Sequence, residues 1–257
     1  MHPDWLVPDW PAPPQVRAVC TTRAGGVSQA PYDGFNLGDH VGDDPLAVAQ
    51  NRARLQQLIG TRPVFLSQVH ATHVVELEAG TADGTQADAC LSRASGVACS
   101  IMVADCLPLL FTDARGSFVA AAHAGWRGLA GVQGQGVLET LLQTLVTRHG
   151  VSAQDVRVWL GPCIGPDAFE VGPEVKAAFE QHAAQAADCF RAGVAQGKWL
   201  ADLAALARQR LQALGVSHIY GNDGTASWCT VSNASRFFSH RRDRVSGRLA
   251  ACIWLVA

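Results

Sequence analysis

Short apolar runs bounded by turn residues dominate this sequence and limit the fold more than any other feature. Three of them follow one another closely, at residues 97–103, 107–111 and 118–122. Runs of this length are typical of buried strands, and the turn residues at 112–116 predict a hairpin-like connection between the second and the third. The strands therefore come in groups, which indicates an α+β fold with mixed sheets covered by helices, not a doubly wound parallel sheet.

Further elements follow from hydrophobic spacing and from end signals such as Pro45 after an acidic cap and Gly60, Gly150 and Gly215 after helical patterns. Additional strands are predicted at residues 15–22, 63–66, 74–77, 156–160, 217–220 and 249–256. Helices are predicted at residues 45–60, 131–149, 174–187 and 198–214.

The size and charge of the chain exclude some classes of protein. With 257 residues, 48% of them hydrophobic and 16% charged, it can bury a full core as one large domain or two small ones. Its formal net charge is -2, which argues against a general nucleic-acid binder. Residues 1–14 contain prolines and acids where a signal peptide needs a basic and then an apolar segment, so we interpret them as an extended lead-in.

No apolar run approaches the roughly 20 residues that span a bilayer, so no membrane partner is expected. The eight cysteines are scattered and form no CxxC pair. In a chain of this length that pattern favours reduced thiols in a cytoplasmic protein, most of them as small core residues.

One segment, residues 119–128, combines several chemical groups in the order Val-Ala-Ala-Ala-His-Ala-Gly-Trp-Arg-Gly. A predicted strand ends at His123, and a helical pattern follows the two glycines. A histidine beside a helix N-terminus and Arg127 offers a metal or proton-transfer ligand next to an anion site, because free backbone N–H groups and guanidinium groups bind anions.

Two further metal-ligand types lie at predicted strand ends, His70 and Cys106. Two imidazoles and a thiolate suit zinc, and three protein ligands leave a fourth position open for water or substrate, as in catalytic zinc sites. The spacing alone is a weak signal, since the HExxH and zinc-deaminase signatures are absent. A buried thiol in a turn and a satisfied core histidine explain Cys106 and His123 equally well at this point.

Several motifs match a known family together: Gln68-Val69-His70, Ala104-Asp105-Cys106-Leu107-Pro108, His123 to Gly128, the Gly-Pro-Cys-Ile-Gly loop at 161–165, and Phe-Ser-His-Arg-Arg at 238–242. The chain closely resembles, from about residue 17 to its end, the YfiH-type laccase-domain family. That family is also called the polyphenol oxidase family and, more recently, multifunctional purine nucleoside phosphorylases. Two departures are visible: Ala71 replaces a common glycine, and His240 replaces a frequent tyrosine.

The resemblance implies a single domain over residues 1–257 with an α/β/β/α sandwich, a cysteine-hydrolase-type fold related to toxin domains that use a Cys-His pair. It implies that His70, Cys106 and His123 are both the catalytic residues and the ligands of zinc, with copper as the alternative. The implied substrates are phosphate and the nucleosides adenosine, inosine and methylthioadenosine. Adenosine would also be deaminated. We expect a monomer or a weak homo-oligomer.

The candidates for binding substrate and phosphate are a separate set. Arg127 beside the helix N-terminus is the first choice, and the others lie in glycine-rich loops or in the last motif: Arg23, Asn36, Cys163 and Arg241. Cys163 is equally well explained as a packed residue in a tight turn, and Arg241 with Arg242 as a solvated pair. Asp105 is the only suggestion for a general acid.

Three alternative functions remain at this stage. Cys106 activated by His123 would suit a Cys-His hydrolase that edits peptidoglycan precursors. Oxidation of phenols by copper needs many paired histidines, whereas the chain has nine histidines and no His-x-His pair. A purely structural zinc ion would need a fourth protein ligand.

Overall fold

The computed structural model describes residues 2–256, and most strands lie where the apolar runs predict them. The strands are β1 (Val16–Cys20), β2 (Arg62–Phe65), β3 (Val74–Glu76), β4 (Ala89–Ser92), β5 (Val97–Val103), β6 (Leu107–Asp113), β7 (Val119–Ala124), β8 (Val156–Leu160), β9 (Glu170–Val171), β10 (Phe190–Ala192), β11 (Trp199–Ala201), β12 (His218–Gly221) and β13 (Leu249–Leu255). The helices are α1 (Pro45–Ile59), α2 (Trp126–Ala130), α3 (Val137–His149), α4 (Pro173–Glu180), α5 (Leu203–Ala213) and α6 (His240–Asp243).

The strands form a four-stranded sheet in the order β1-β13-β5-β2, a six-stranded sheet in the order β12-β8-β6-β7-β4-β3, and a small sheet β10-β11-β9. Both large sheets are mixed. In the first, β2 runs parallel to β5 while β13 is antiparallel to it. In the second, β12 runs parallel to β8 while β6 is antiparallel to it. The prediction of an α+β fold with mixed sheets is confirmed.

The two large sheets pack face to face, with helices on their outer faces. Alternate side chains of β6 show why residues 107–111 form an unbroken apolar run. Leu109 and Phe111 point into the core shared with α3 and α5, whereas Leu110 points into the core between the sheets. Likewise Ile101 of β5 faces the other sheet, and Met102 faces the core under α1. Strands buried on both faces lose the alternation of polar and apolar residues.

Three predicted helices have different bounds in the structure. The helix expected at 131–149 begins only at Val137 as α3, because Gly131 adopts a φ of +67° and starts a tight turn, and a short helix outside the predicted range, α2, precedes that turn. The helix expected at 174–187 ends at Glu180, and a 3-10 helix follows at Ala184–Cys189. The helix expected at 198–214 begins only at Leu203, where the side chain of Asp202 caps α5. The residues before that cap form β11.

The N-terminal lead-in, the cysteines and the helix lengths can also be compared with the predictions. The lead-in is packed against the body, since Leu6 forms a bridge with Cys20 and Trp5 is buried. All eight cysteines are free, and seven of them are buried. Among residues 2–256 no helix is long and apolar enough to cross a bilayer. The relation to cysteine hydrolases stays a prediction.

Candidate metal centre

Three segments from both large sheets bring His70, Cys106 and His123 together. His70 lies in the loop after β2, Cys106 directly precedes β6, and His123 belongs to β7. The antiparallel pairing of β6 and β7 places His123 opposite Pro108, two residues from Cys106. One potential ligand atom from each residue lies within 4.8 Å of the other two, and Sγ of Cys106 is 3.6 Å from Nε2 of His70.

The motif Gln68-Val69-His70 is held by hydrogen bonds that its residue types explain. The side-chain amide of Gln68 makes two hydrogen bonds with the backbone of Met102. Its Oε1 atom accepts from the N–H at 2.8 Å, and its Nε2 atom donates to the carbonyl at 2.7 Å. This amide pair extends the pairing of β2 with β5 and fixes where the loop leaves the sheet. His70 then adopts a φ of +61°, a conformation that is uncommon for residues other than glycine.

The first glycine of the motif that follows His123 has a steric reason. A Cβ atom on Gly125 would lie 2.8 Å from Cδ2 of His70 and 2.9 Å from Sγ of Cys106. A larger residue there would therefore push the three side chains apart. Gly128 has a similar role on the neighbouring turn, where a Cβ would lie 2.8 Å from the carbonyl oxygen of Ala71.

Asp88 orients the imidazole of His123 through a hydrogen bond, and it is not among the site residues predicted from the sequence. Nδ1 of His123 lies 2.8 Å from Oδ1 of Asp88, and both side chains are buried. Although burial raises the pKa of Asp88, hydrogen bonds from His123 and from the N–H of Ala71 hold that pKa below its usual range. The only sequence signal is an acidic residue inside the apolar stretch 87–91.

The pKa shifts of Cys106 and His123 favour a thiolate–imidazolium ion pair near neutral pH. Although burial raises the pKa of Cys106, the neighbouring imidazolium of His123 and the contact with His70 lower it to about 6. Burial lowers the pKa of His123, but the thiolate of Cys106 and the carboxylate of Asp88 raise it to about 9. Between these two values the thiolate is present without added base, and a thiolate is both a nucleophile and a metal ligand.

We expect this shift to be visible in the alkylation of the metal-free protein by iodoacetamide. Since the thiolate is the reacting species, the rate should rise with pH through a midpoint of about 6, instead of the roughly 8.5 of an ordinary cysteine. Mass spectrometry of quenched samples at several pH values gives the profile for the peptide that contains Cys106. A midpoint near 8.5 would contradict the ion pair, and replacement of His123 by Asn should raise the midpoint.

The donor set fits a zinc ion. Zinc bonds of about 2.3 Å to sulfur and 2.05 Å to nitrogen at a tetrahedral angle separate the two ligand atoms by about 3.6 Å. The distance between Cys106 and His70 has this value. Nδ1 of His123 is engaged by Asp88, so Nε2 is its free ligand atom. His70 is exposed and Cys106 half-buried, which leaves a fourth position accessible from the adjoining cavity.

The cavity beside these ligands has a volume of about 420 Å³, and four arginines line it. Asp105 is its single acidic lining residue. Its basic lining residues other than the metal-ligand candidates are Arg127, Arg241, Arg244, Arg248, His40 and His240. Apolar side chains line it as well, among them Ile164, Phe169 and Leu203. Such a site suits a ligand that is part apolar and part anionic.

Two of these arginines have uncommitted guanidinium groups. Arg127 is exposed and stacks on the ring of Trp126, with Cζ 4.4 Å from the ring centroid. Arg244 is also exposed and has a φ of +63°. Within residues 2–256 neither side chain makes a hydrogen bond or an ion pair. By contrast, Arg241 donates to the carbonyl of Glu170, and Arg248 to that of Ser246.

Asp105 is engaged as a hydrogen-bond acceptor through both carboxylate oxygens. Oδ1 accepts from Oγ1 of Thr230 and Oδ2 from the backbone N–H of Arg241, each at 2.6 Å. The carboxylate therefore fixes the start of α6 and the position of Arg241. Asp105 also lines the cavity, and its role as a general acid stays a prediction.

Three of the predicted binding residues do not line the cavity. Arg23 donates to the carbonyl and the carboxylate of Asp33. Cys163 is buried, and its sulfur accepts from Nδ2 of Asn222. Asn36 is also buried, and its Oδ1 accepts from the N–H of Arg248, so it positions a cavity arginine without reaching the cavity itself. Arg127 and Arg241 are the predicted binding residues that the structure places there.

Several cavity residues are not among those predicted from the sequence. Arg244, Arg248 and His40 belong to none of the motifs that predicted the site. His40 keeps 56% of its side chain exposed but also lines the cavity. These residues come from loops that are distant in the sequence, so only the fold brings them together.

Comparison with known proteins covers nearly the whole chain. Residues 17–256 match the family described as multi-copper polyphenol oxidoreductase laccase. A protein of Pseudomonas aeruginosa named purine nucleoside phosphorylase is 51% identical over 98% of this chain and 98% of its own. The purine nucleoside phosphorylase YfiH of Escherichia coli is 45% identical, again over 98% of each chain.

Solved structures show the same fold. The crystal structure of a Neisseria meningitidis protein superimposes with a TM-score of 0.90 at 46% identity and covers 99% of this chain and 100% of that chain. YlmD from Geobacillus stearothermophilus superimposes with a TM-score of 0.85 at 30% identity, covering 96% and 94% of the two chains.

Proposed function

Because the chain belongs to the multi-copper polyphenol oxidoreductase laccase family, also known as the YfiH family, we propose that it is a metal-dependent purine nucleoside phosphorylase that also deaminates adenosine. One observation carries the proposal most strongly. A three-ligand His-Cys-His group lies at the wall of a cavity that combines free arginines with apolar side chains. The names of relatives at 51% and 45% identity support the phosphorolytic activity.

In the proposed phosphorolysis, phosphate attacks C1′ of the nucleoside. A C1′–O bond to phosphate forms, the C1′–N9 bond breaks, and the electron pair and a proton end on the purine. The chain must hold a dianion against C1′, and guanidinium groups do this by charge-assisted hydrogen bonds. Arg127 and Arg244 are our candidates, since their guanidinium groups are uncommitted. The apolar residues Ile164 and Phe169 offer a wall for the purine.

Deamination of adenosine uses a different nucleophile at the same site. Water adds to C6 of adenine and its oxygen becomes the C6 carbonyl oxygen. The C6–N6 bond breaks, one proton of the water passes to the amino group, which leaves as ammonia, and the other ends on N1. A zinc ion held by His70, Cys106 and His123 would supply Lewis acidity at that point. The chain contributes the three ligands and the adjoining cavity. This reaction needs no phosphate, so the two activities can be separated by assay.

A direct test is to incubate the purified protein with adenosine, inosine or methylthioadenosine, with and without phosphate. The proposal expects free base and ribose 1-phosphate only when phosphate is present, and inosine from adenosine in either case. Chromatography of the products distinguishes the two reactions. Absence of any base release with all three nucleosides would refute the phosphorylase assignment.

Arg127→Ala should raise the KM for phosphate about 10- to 100-fold, the loss expected for a hydrogen bond to a charged group. Deamination should continue at the normal rate, because that reaction uses no phosphate. Arg54→Ala, which removes another exposed arginine from α1, is the matched control. An unchanged KM for phosphate would contradict the assignment, and an equal loss of both activities would show that Arg127 acts on the shared site.

A Cys-His hydrolase is the second candidate function, and one observation favours it. The ion pair between Cys106 and His123 resembles the activated pair of thiol hydrolases, with Asp88 as the group that orients the histidine. In that reaction the thiolate attacks a carbonyl and His123 protonates the leaving group, as in the proposed editing of peptidoglycan precursors.

Copper-dependent oxidation of phenols is the remaining alternative. The part of the chain that the structure describes contains one three-ligand group, whereas a laccase needs several copper sites.

A further inference from the structure

Asp88 connects the two histidine ligands through one buried carboxylate. Its Oδ1 atom accepts from Nδ1 of His123 at 2.8 Å and from the N–H of His70 at 2.9 Å. Its Oδ2 atom accepts from the N–H of Ala71 at 2.8 Å and from that of Val69 at 3.2 Å. The side chain is fully buried and is absent from the lining of the cavity. It therefore touches the ligands of the site and not its substrate.

The backbone at His70 needs this support. A φ of +61° is unfavourable for a residue with a Cβ atom, and such conformations persist where the surroundings over-determine them. Three successive N–H groups directed at one carboxylate provide this restraint. Without it the loop would relax and carry His70 away from Cys106.

From this arrangement we infer that Asp88 is the positioning residue of the metal centre. The carboxylate selects the tautomer of His123 that is protonated at Nδ1 and presents Nε2 to the metal. It also fixes the backbone of His70 so that both imidazoles meet Cys106 before a metal ion arrives. Partners of this kind fix ligand orientation in metal sites, and their loss commonly weakens metal binding 10- to 100-fold.

Charge balance supports the same assignment. A thiolate at Cys106 and a carboxylate at Asp88 together carry two negative charges, which a divalent cation would neutralise. Asp105 cannot replace Asp88 in this role because its two oxygens are bound by Thr230 and by the backbone of Arg241. An amide at position 88 would keep the shape of the side chain, but its NH₂ group would face donors instead of accepting from them.

Asp88→Asn tests the inference in the full chain, with zinc affinity measured by competition against a chromophoric chelator. We expect affinity to fall about 10- to 100-fold. The absorption spectrum of the cobalt-loaded variant should also change, because the ligand geometry relaxes. Asp113→Asn is the matched control. Asp113 is a buried carboxylate at the other end of β6 that likewise accepts from backbone N–H groups, those of Arg115 and Ser117. It should leave zinc affinity and the cobalt spectrum unchanged.

A second measurement uses the unmodified protein, so it remains decisive if the Asp88→Asn variant does not fold. Nitrogen NMR of histidine-labelled, zinc-loaded protein should show His123 protonated at Nδ1 and bound to zinc through Nε2. The opposite tautomer would overturn the inference, as would an Asp88→Asn variant with normal zinc affinity and a normal cobalt spectrum.

The inference rests on the metal site of the proposed function, and the two can fail separately. If the unmodified protein binds no zinc, the metal site and the role of Asp88 are both refuted. If it binds zinc tightly and Asp88→Asn binds equally well, only the role of Asp88 is refuted. Neither result depends on nucleoside turnover.

Discussion

Cys106→Ala should reduce kcat/KM for the phosphorolysis of adenosine at least about 1,000-fold, which corresponds to roughly 4 kcal/mol of transition-state stabilisation. The thiolate is the single anionic member of the ligand group, and it lies 3.6 Å from Nε2 of His70. Its loss leaves two neutral imidazoles, which hold a divalent cation weakly. Deamination should fall to a similar extent, because both reactions depend on the same centre. Steady-state assays with adenosine, in the presence and absence of phosphate, measure the two effects.

Cys189→Ala is the matched control for this variant. Cys189 is a buried free cysteine that does not line the cavity, and the same truncation there should change stability without changing the chemistry. The melting temperature of Cys106→Ala should stay close to that of the unmodified metal-free protein, since Cys106 is only half-buried. Normal turnover by a correctly folded Cys106→Ala protein would refute the site assignment altogether.

The ligand residues could be found from the sequence because each lies next to an apolar run. His123 ends the run that forms β7, and Cys106 precedes the run that forms β6. His70 was harder to place, since it follows β2 by a loop whose course depends on the bond between Gln68 and Met102. Spacing alone left the metal site as one of several interpretations. The resemblance to the family is what indicated that His70, Cys106 and His123 form one ligand set.

Asp88 and Arg244 show what the sequence could not provide. Asp88 acts through contacts with residues 18 and 35 positions away in the chain, which no local pattern records. Arg244 reaches the cavity because the chain turns at a positive φ after α6. Conversely, Arg23 and Asn36 were chosen for their position in a glycine-rich loop. Their side chains turned out to hold that loop together.

Strands that are buried on both faces could be predicted from the sequence, whereas short and partly exposed strands could not. β5 and β6 are buried along their full length, so their apolar runs are long; β5 has the predicted bounds, and β6 extends two residues beyond its predicted end at residue 111. β10 and β11 are short and partly exposed strands that carry little apolar signal. The helical spacing of residues 131–149 also concealed the turn at Gly131, because Val132 looks like a core residue and is in fact 79% exposed.

Removal of the metal is the second change for which we expect a large effect. Treatment with a strong chelator should abolish both phosphorolysis and deamination, and added zinc should restore them. The chain should remain folded, since the fully buried residues of the three hydrophobic cores do not include the metal ligands. The melting temperature should nevertheless fall by roughly 5 to 10 °C, if zinc at 100 times its Kd contributes about 2.7 kcal/mol. Activity, metal content and melting curves are measured on the same samples.

The same experiment separates the competing functions, because each depends on the metal in a different way. A Cys-His hydrolase would keep its activity without metal and lose it on alkylation of Cys106, whose thiolate is then most accessible. A structural zinc ion would change the melting temperature while no nucleoside is turned over in any sample. A phenol oxidase would be restored by copper and not by zinc. Full phosphorolysis by the metal-free protein would contradict our proposal, because His70, Cys106 and His123 would then serve a reaction without the metal that their arrangement fits.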